Sequence, residues 1–209
     1  MKRASLPRTH AVHGFALACA IAVAGSAAAD ASPPAVAGKC SVQFFATSSL
    51  HDFEGEAPCS LLAIEPPDAS GRYAARAQVE IAQLKTGISA RDRKMREMFE
   101  AKKFPQITAT FAELDAGAIR ARASNALPFR IRVHGVERNV APKLSRYAEE
   151  AGKSARFRAE FDLTLREFGL EPPVAMGFIR VNDEVHVVVD VELAARPPVP
   201  RPRDEAAGS

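Results

Sequence analysis

No apolar stretch in the 209 residues approaches the roughly 20 that a helix needs to cross a bilayer. The longest, Phe15–Ala24, has ten, and Arg, Asp or Glu interrupts every later strand-like run. A transmembrane segment is therefore excluded. Catalytic signatures are missing as well: there is no H-E-x-x-H, no G-x-S-x-G and no phosphate loop. An excess of positive charge is also absent where it would matter. Lys2, Arg3 and Arg8 precede the first acid, Asp30, so without residues 1–29 the 28 cations fall to 25, level with the 25 acids. A neutral chain has no electrostatic footprint for nucleic acid. Trp is absent and Cys is rare, with three. Wholesale disorder and a collagen-like fibre are excluded by 47% hydrophobic and 25% charged residues.

The first 29 residues read as an address. Their positive start, the apolar run Phe15–Ala24 and the small residues Ala27-Ala28-Ala29 predict a secretory signal peptide, cleaved to release a periplasmic or secreted protein. Lipid attachment at Cys19 is disfavoured, because the attachment box wants a branched apolar residue where Ala16 stands. Cys19 leaves with the signal, and Cys40 and Cys59 remain. An even pair in an oxidising compartment reads as a disulfide. Both are equidistant from the Ser49–Leu50 link, where a hairpin turn would bring them face to face. With no nearby His they make a poor zinc site, and no metal or redox cofactor is expected.

Residues 30–38 (DASPPAVAG) are expected to be a flexible segment, and 194–209, with four prolines in sixteen residues, a disordered tail. One folded domain of about 39–193 remains.

Within it the pattern has period two. Tyr73, Ala75, Ala77, Val79 and Ile81 share one face; Ile107, Ala109 and Phe111 another; Leu127, Phe129, Ile131 and Val133 a third. The clearest run is Ala155, Phe157, Ala159, Phe161, Leu163 and Leu165, and Val185 to Leu193 repeats it. Strands with one wet face predict an antiparallel sheet, and hence an all-β fold that either closes into a barrel or forms a sandwich. One segment differs. From Ser89 to Lys102, Met95, Met98 and Phe99 fall at i, i+3 and i+4, predicting an amphipathic helix of about three turns. Ser89 and Asp92 make a capping pair at its start.

Side-chain size bears on the interior. With Ile119, Ala121 and Ala123 taken as a further strand, the inward set includes alanines 75, 77, 109, 121, 123, 155 and 159. Alanines among phenylalanines fit a hollow that holds one small ligand, or a filled core in which Ala pairs with Phe. Sequence leaves both open.

Three stretches carry a family likeness: VQFFATSSLHDFEG (42–55), VEIAQLKTGISARDRKMREMFEAKKFPQITATF (79–111) and FRIRVHGVERNV (129–140), followed by the closing VNDEVHVVVDVEL (181–193). Thr86-Gly87, Arg91-Asp92, Met95 and Phe104-Pro105 stand in family order and spacing. Over about residues 39–193 the chain resembles the YceI-like, polyisoprenoid-binding family. The first block departs from the family's usual opening hairpin. The resemblance implies an exported, lipocalin-like antiparallel barrel of about eight strands, with the 89–102 helix over one opening. It implies an apolar interior for a polyisoprenoid, a quinone tail or a fatty-acid-type lipid. Together with the alternation, it points Phe44, Val79, Ile81, Phe111, Phe129, Ile131, Phe157 and Phe161 inward, with Met95, Met98 and Phe99 facing them from the helix. Met95 and Met98 could form an adaptable lid or be ordinary core.

Arg91 has three possible uses: active-site residue, anchor of the helix to the rim, or holder of a carboxylate or pyrophosphate head. His51 with Asp52 or Glu54 could act as a general base, or simply occupy the turn. His134 and His186 are scattered. Three function classes follow: a carrier or sequestering protein for an apolar chain, a hydrolase or isomerase using the barrel mouth, and a partner-binding module with a filled core. The first is the leading expectation, without enzymatic activity. Cleavage after Ala29 is expected to give a mature protein beginning at Asp30, which N-terminal sequencing of periplasmic material checks; protein still starting at Met1 contradicts it.

Overall fold

A strand that is apolar on one face is stable only where that face is shared, and here the strands share it by wrapping round one interior. The computed structural model describes residues 36–123, 126–150, 154–175 and 177–194. Eleven strands occur among them: β1 (Val36–Ser48), β2 (Phe53–Pro58), β3 (Leu61–Ile64), β4 (Tyr73–Glu80), β5 (Gln106–Leu114), β6 (Phe129–Val133), β7 (Val136–Val140), β8 (Lys143–Glu150), β9 (Ser154–Thr164), β10 (Val174–Ala175) and β11 (Ile179–Ala194). Two helices, α1 (Ser89–Met98) and α2 (Ala116–Arg120), and two 3₁₀ turns, Ile81–Gln83 and Leu165–Phe168, complete the domain. Every pairing is antiparallel.

The hydrogen-bonded path runs β7-β6-β5-β4-β3-β1-β11-β9-β8, with β2 added to β1 and β10 to β11. The expected barrel of about eight strands is therefore corrected on two counts. First, the strands are more numerous. β1 is long enough to pair with both β2 and β3, which the chain separates at Cys59 and Ser60. β8 hides its period behind a bulge at Arg146, where φ is 54°. Second, no ladder joins β7 to β8 among the described residues. The ends are instead consecutive in the chain, linked by Ala141 and the fully buried Pro142.

Other boundaries also move. β1 begins at Val36, so 36–38 belong to a strand rather than to a flexible segment, and Ala194 still lies in β11. The expected signal peptide 1–29, and the tail beyond Ala194, lie outside the described residues. Ile119, Ala121 and Ala123 do not form a strand. Asp115 accepts hydrogen bonds from the amides of Gly117 (2.7 Å) and Ala118 (3.0 Å) and starts α2 there, with Ala121 at its C-terminal cap. The helix expected over 89–102 stops at Met98. Glu100 takes a left-handed φ of 46°, its amide bonds the carbonyl of Glu97, and the Ala101 amide bonds that of Arg96. These paired bonds close a helix, with Glu where Gly is usual.

At the β6–β7 hairpin, register pairs Val133 with Val136 and leaves a two-residue turn, His134-Gly135. Both have positive φ, 51° and 79°, as a turn matched to strand twist requires.

Register also fixes the cysteines. Ser41 pairs with Pro58 and Phe44 with Gly55 about the centre at Ser49–Leu50, and Cys40 and Cys59 form a disulfide across the same hairpin. Closing a loop of 19 residues contributes about 3 kcal/mol in the chain-entropy account. Thiol labelling of the folded protein without reductant should find neither cysteine free. Cys40→Ala with Cys59→Ala should lower unfolding stability by about that amount; two labelled thiols in the folded protein contradict the bridge.

Candidate functional site

The inward faces do not meet in the middle. They enclose a cavity of about 880 Å³, within the 300–1,000 Å³ range typical of small-molecule sites. Every strand except β7 contributes to its wall. The longest run, Ala155 to Leu165 at alternate positions on and just beyond β9, lines it throughout, opposite Val185, Val187, Val189, Val191 and Leu193 of β11. Phe111, Phe129 and Phe161 line it as a chain of rings with centroids 5.0 and 5.2 Å apart. Phe44 reaches in because its β2 partner is Gly55: a Cβ there would lie 2.1 Å from the Phe44 ring. Buried residues gather as two clusters, one with Phe99, Phe129 and Phe168 and one with Leu127, Leu144 and Phe157.

Register distinguishes the two ends. Ser48, Glu80, Thr164 and Val181 mark one, where α1 sits. Its rim is built on Thr86. The Thr86 amide and hydroxyl donate to Asp92 Oδ1 at 2.8 and 2.6 Å, while Arg91 donates from Nε to Thr86 Oγ1 (2.8 Å) and from Nη2 to the Thr86 carbonyl (3.0 Å). The Arg91 guanidinium also covers the Phe53 ring at 4.4 Å. This corrects the expected Ser89–Asp92 capping pair. Ser89 is already helical, Ile88 is the cap residue without a side-chain bond, and Asp92 reaches back to Thr86 instead. Burial opposes ionisation of Asp92, but the Thr86 hydroxyl and amide, with Arg96 and Arg91, outweigh it and hold the carboxyl below its ordinary range.

The YceI-like domain family matches residues 36–193, from the start of β1 almost to the end of β11. The chain belongs to the YceI-like family. Two solved structures share this fold. BcnA from Burkholderia cenocepacia is 14% identical, with 73% of this chain and 95% of that one covered and a TM-score of 0.55. A polyisoprenoid binding domain from Saccharophagus degradans, implicated in plant cell wall breakdown, is 16% identical over 77% and 99%, with a TM-score of 0.57. No curated protein matches the chain.

In this YceI-like domain, Phe44, Val79, Arg91, Met95, Met98, Phe99, Phe111, Phe129, Ile131, Phe157 and Phe161 all line the cavity. Ile81 does not. It is fully buried in the 3₁₀ turn after β4, behind the wall, because the strand ends at Glu80 and the alternation no longer applies. Of the seven expected inward alanines, 75, 77, 109, 155 and 159 face the cavity; Ala121 and Ala123 follow α2 and do not. His51 stands at the rim, its amide and carbonyl both tied to Ser48 Oγ. His186 is exposed and bonds Asp162 at 2.7 Å on the outer face.

Sequence reasoning missed two clusters. Tyr147, Glu149 and Arg120 line the end opposite α1, where Arg120 and Tyr147 both bond Glu149, at 2.9 and 3.0 Å. The non-alternating β8 conceals them. At the end of α1, His134 packs on Phe104 (centroids 4.5 Å apart), with Nδ1 3.3 Å from the Phe168 carbonyl and Nε2 3.4 Å from Glu100 Oε1. Only a hairpin turn and a helix end brought together in space create that contact. Among the described residues no group of three His, Cys, Asp or Glu is placed to hold a metal ion, and no helix is long and apolar enough to cross a membrane.

The depressed Asp92 pKa predicts a pH signature. Its stabilising contribution is present above the unfolded value, about 3.9, and is lost as pH falls through the lower folded value. Asp92→Asn should cost about 1–3 kcal/mol at pH 7. Chemical unfolding at pH 7 and pH 3 should show the gap between variant and parent shrinking at the lower pH; an unchanged gap contradicts the assignment.

Proposed function

We infer that this protein is an exported carrier that sequesters an apolar chain, a polyisoprenoid, quinone tail or fatty-acid-type lipid, inside the wrapped sheet. The observation that carries this reading is the 880 Å³ cavity with an almost wholly hydrocarbon wall. A chain entering it gains about 0.8 kcal/mol per buried CH₂, so affinity accumulates along the chain without any polar contact. The cavity favours this over a filled-core module, for which no hollow is needed. The Cys40–Cys59 bridge supports export, since such bonds persist in oxidising compartments.

Arg91 holds the polar head of the ligand. Thr86 occupies its Nε and one Nη2 hydrogen, which leaves donors for a carboxylate or phosphate at the mouth. Met95 and Met98 line the cavity from α1, and their unbranched thioethers repack round chains of different shape. No chemical step is assigned to any residue.

Native mass spectrometry of protein from its own host, with organic extraction, should find a bound lipid. Ala159→Phe places a ring in the cavity and should abolish binding of a prenyl-chain probe while thermal stability stays close to the parent. If the interior were packed, the same change would cost about 1–3 kcal/mol and leave probe binding unchanged, which would sink the reading. Arg91→Ala should weaken acidic probes more than neutral ones; equal weakening removes Arg91 from head-group contact.

A further inference from the structure

Phe45 and Leu61, 37% and 38% exposed, stand apart on β1 and β3, but the most exposed apolar side chains are not scattered. Among the described residues four large hydrophobic side chains are more than half exposed: Leu50 (62%), Ile88 (51%), Val174 (52%) and Phe178 (67%). They come from three separate segments: the β1–β2 turn, the start of α1 and the β10–β11 hairpin. All three meet at the α1 end. Register places Ser48 opposite Val181 and Val174 opposite Arg180, and the Ser49 amide bonds the Arg180 carbonyl at 2.9 Å, which sets Leu50 beside the second hairpin. Ile88 and Val174 also line the cavity, as does Ile179 next to Phe178, so apolar surface continues from the interior onto the rim beside Ser48, His51, Arg91 and Lys94.

The charge on these segments has one dominant sign. Counted over the tips alone, residues 48–52, 85–94 and 173–181, five Lys or Arg stand against two Asp, with Glu54, Glu171, Asp183 and Glu184 set back from the tips. Of the two Asp, Asp92 is buried against Thr86, which leaves Asp52 as the exposed acid of the tips. Glu97 bonds Lys94 at 2.9 Å and also feels Arg93, and both Arg93 and Arg180 are exposed beside the rim. The opposite end carries a paired polar cluster instead, in which Arg120 and Tyr147 both bond Glu149.

We propose that the α1 end is a membrane-docking face: Leu50, Ile88, Val174 and Phe178 enter the interfacial layer of an anionic bilayer, Arg93 and Arg180 contact its head groups, and the cavity mouth opens directly into lipid. Exposed apolar clusters that a protein keeps in water mark interaction sites, and a cationic fringe selects an anionic surface. The proposal rests on the carrier reading: a chain ligand dissolves in membrane and scarcely in water, so a mouth that seats on the bilayer spares it the aqueous step.

The test uses the full mature protein, with vesicles of phosphatidylcholine alone or with anionic phosphatidylglycerol, read by flotation. The parent should partition onto anionic vesicles. Phe178→Ser should reduce partitioning on the order of tenfold, and Arg93→Glu with Arg180→Glu about fivefold per position, an effect that salt suppresses. All these positions are exposed, and thermal unfolding should confirm that each variant remains folded. Equilibrium binding of a soluble short prenyl probe should be unchanged in every rim variant, while transfer of a chain from vesicle to protein slows in step with partitioning. A parent that binds the probe but ignores anionic vesicles overturns docking and leaves the carrier reading standing. Partitioning that the rim variants do not alter overturns this face. Self-association that Phe178→Ser abolishes, without vesicle binding, would assign the rim to a second copy instead. Loss of probe binding in the parent itself is the separate failure of the carrier reading.

Discussion

The ladder joining β11 to β9 sets the phase of everything else. It runs through eleven consecutive pairs, from Glu184 opposite Thr164 to Ala194 opposite Ser154, without a bulge. A slip of one residue would turn Arg158, Asp190 and His186 into the interior and expose Phe157, Phe161 and Val189. Cross-strand pairs on the outer face oppose such a slip. Arg158 bonds Asp190 through two hydrogen bonds at 2.8 and 2.7 Å, His186 meets Asp162, and Arg156 meets Glu192. The two exposed pairs, His186–Asp162 and Arg156–Glu192, are worth little alone. Their value lies in being available in one register only. β1 then pairs with the other edge of β11 and carries Val42 and Phe44 into the same interior.

That ladder explains how a hollow can persist. Close packing is the rule inside proteins, and a row of alanines would normally be filled from the facing layer. Here Ala75, Ala77, Ala109, Ala155 and Ala159 are spread round a wrapped sheet, so backbone pairing holds their neighbours apart. The two buried clusters bracket the space rather than occupy it. The ends differ in chemistry as well. α1 is anchored by Thr86, Asp92 and Arg91 at its start and by Glu100 and His134 just past its finish, which leaves its second half, with Met95 and Met98, lining the cavity.

What was legible in the sequence was whatever a single strand expresses alone. The alternation of Ala155 to Leu165 and Val185 to Leu193 gave the inward set, and the symmetry of Cys40 and Cys59 about Ser49–Leu50 gave the hairpin register. Arg91 and the Met stripe were readable from helical spacing and from the family likeness. Features that depend on two segments were not readable. Asp92 paired with Thr86 rather than Ser89 because Gly87, at φ 76°, turns the chain back over the helix start. Ile119 to Ala123 imitated a strand, but the Asp115 cap starts a helix that takes in Ile119 and Arg120 and ends at Ala121. β8 lost its period at the Arg146 bulge, and with it went any hint of the Tyr147–Glu149–Arg120 cluster.

The disulfide has a bearing on proteolysis. Residues 49–52 form the exposed tip of the β1–β2 hairpin, the sort of loop that proteases nick first. Cys40 and Cys59 lie on either side of that tip and are covalently joined. A cut there separates the polypeptide into two pieces that stay tethered, with β2 still held beside β1 by its ladder. Phe44 would keep its seat over Gly55, and the wall of the cavity would survive the loss of its own connecting turn.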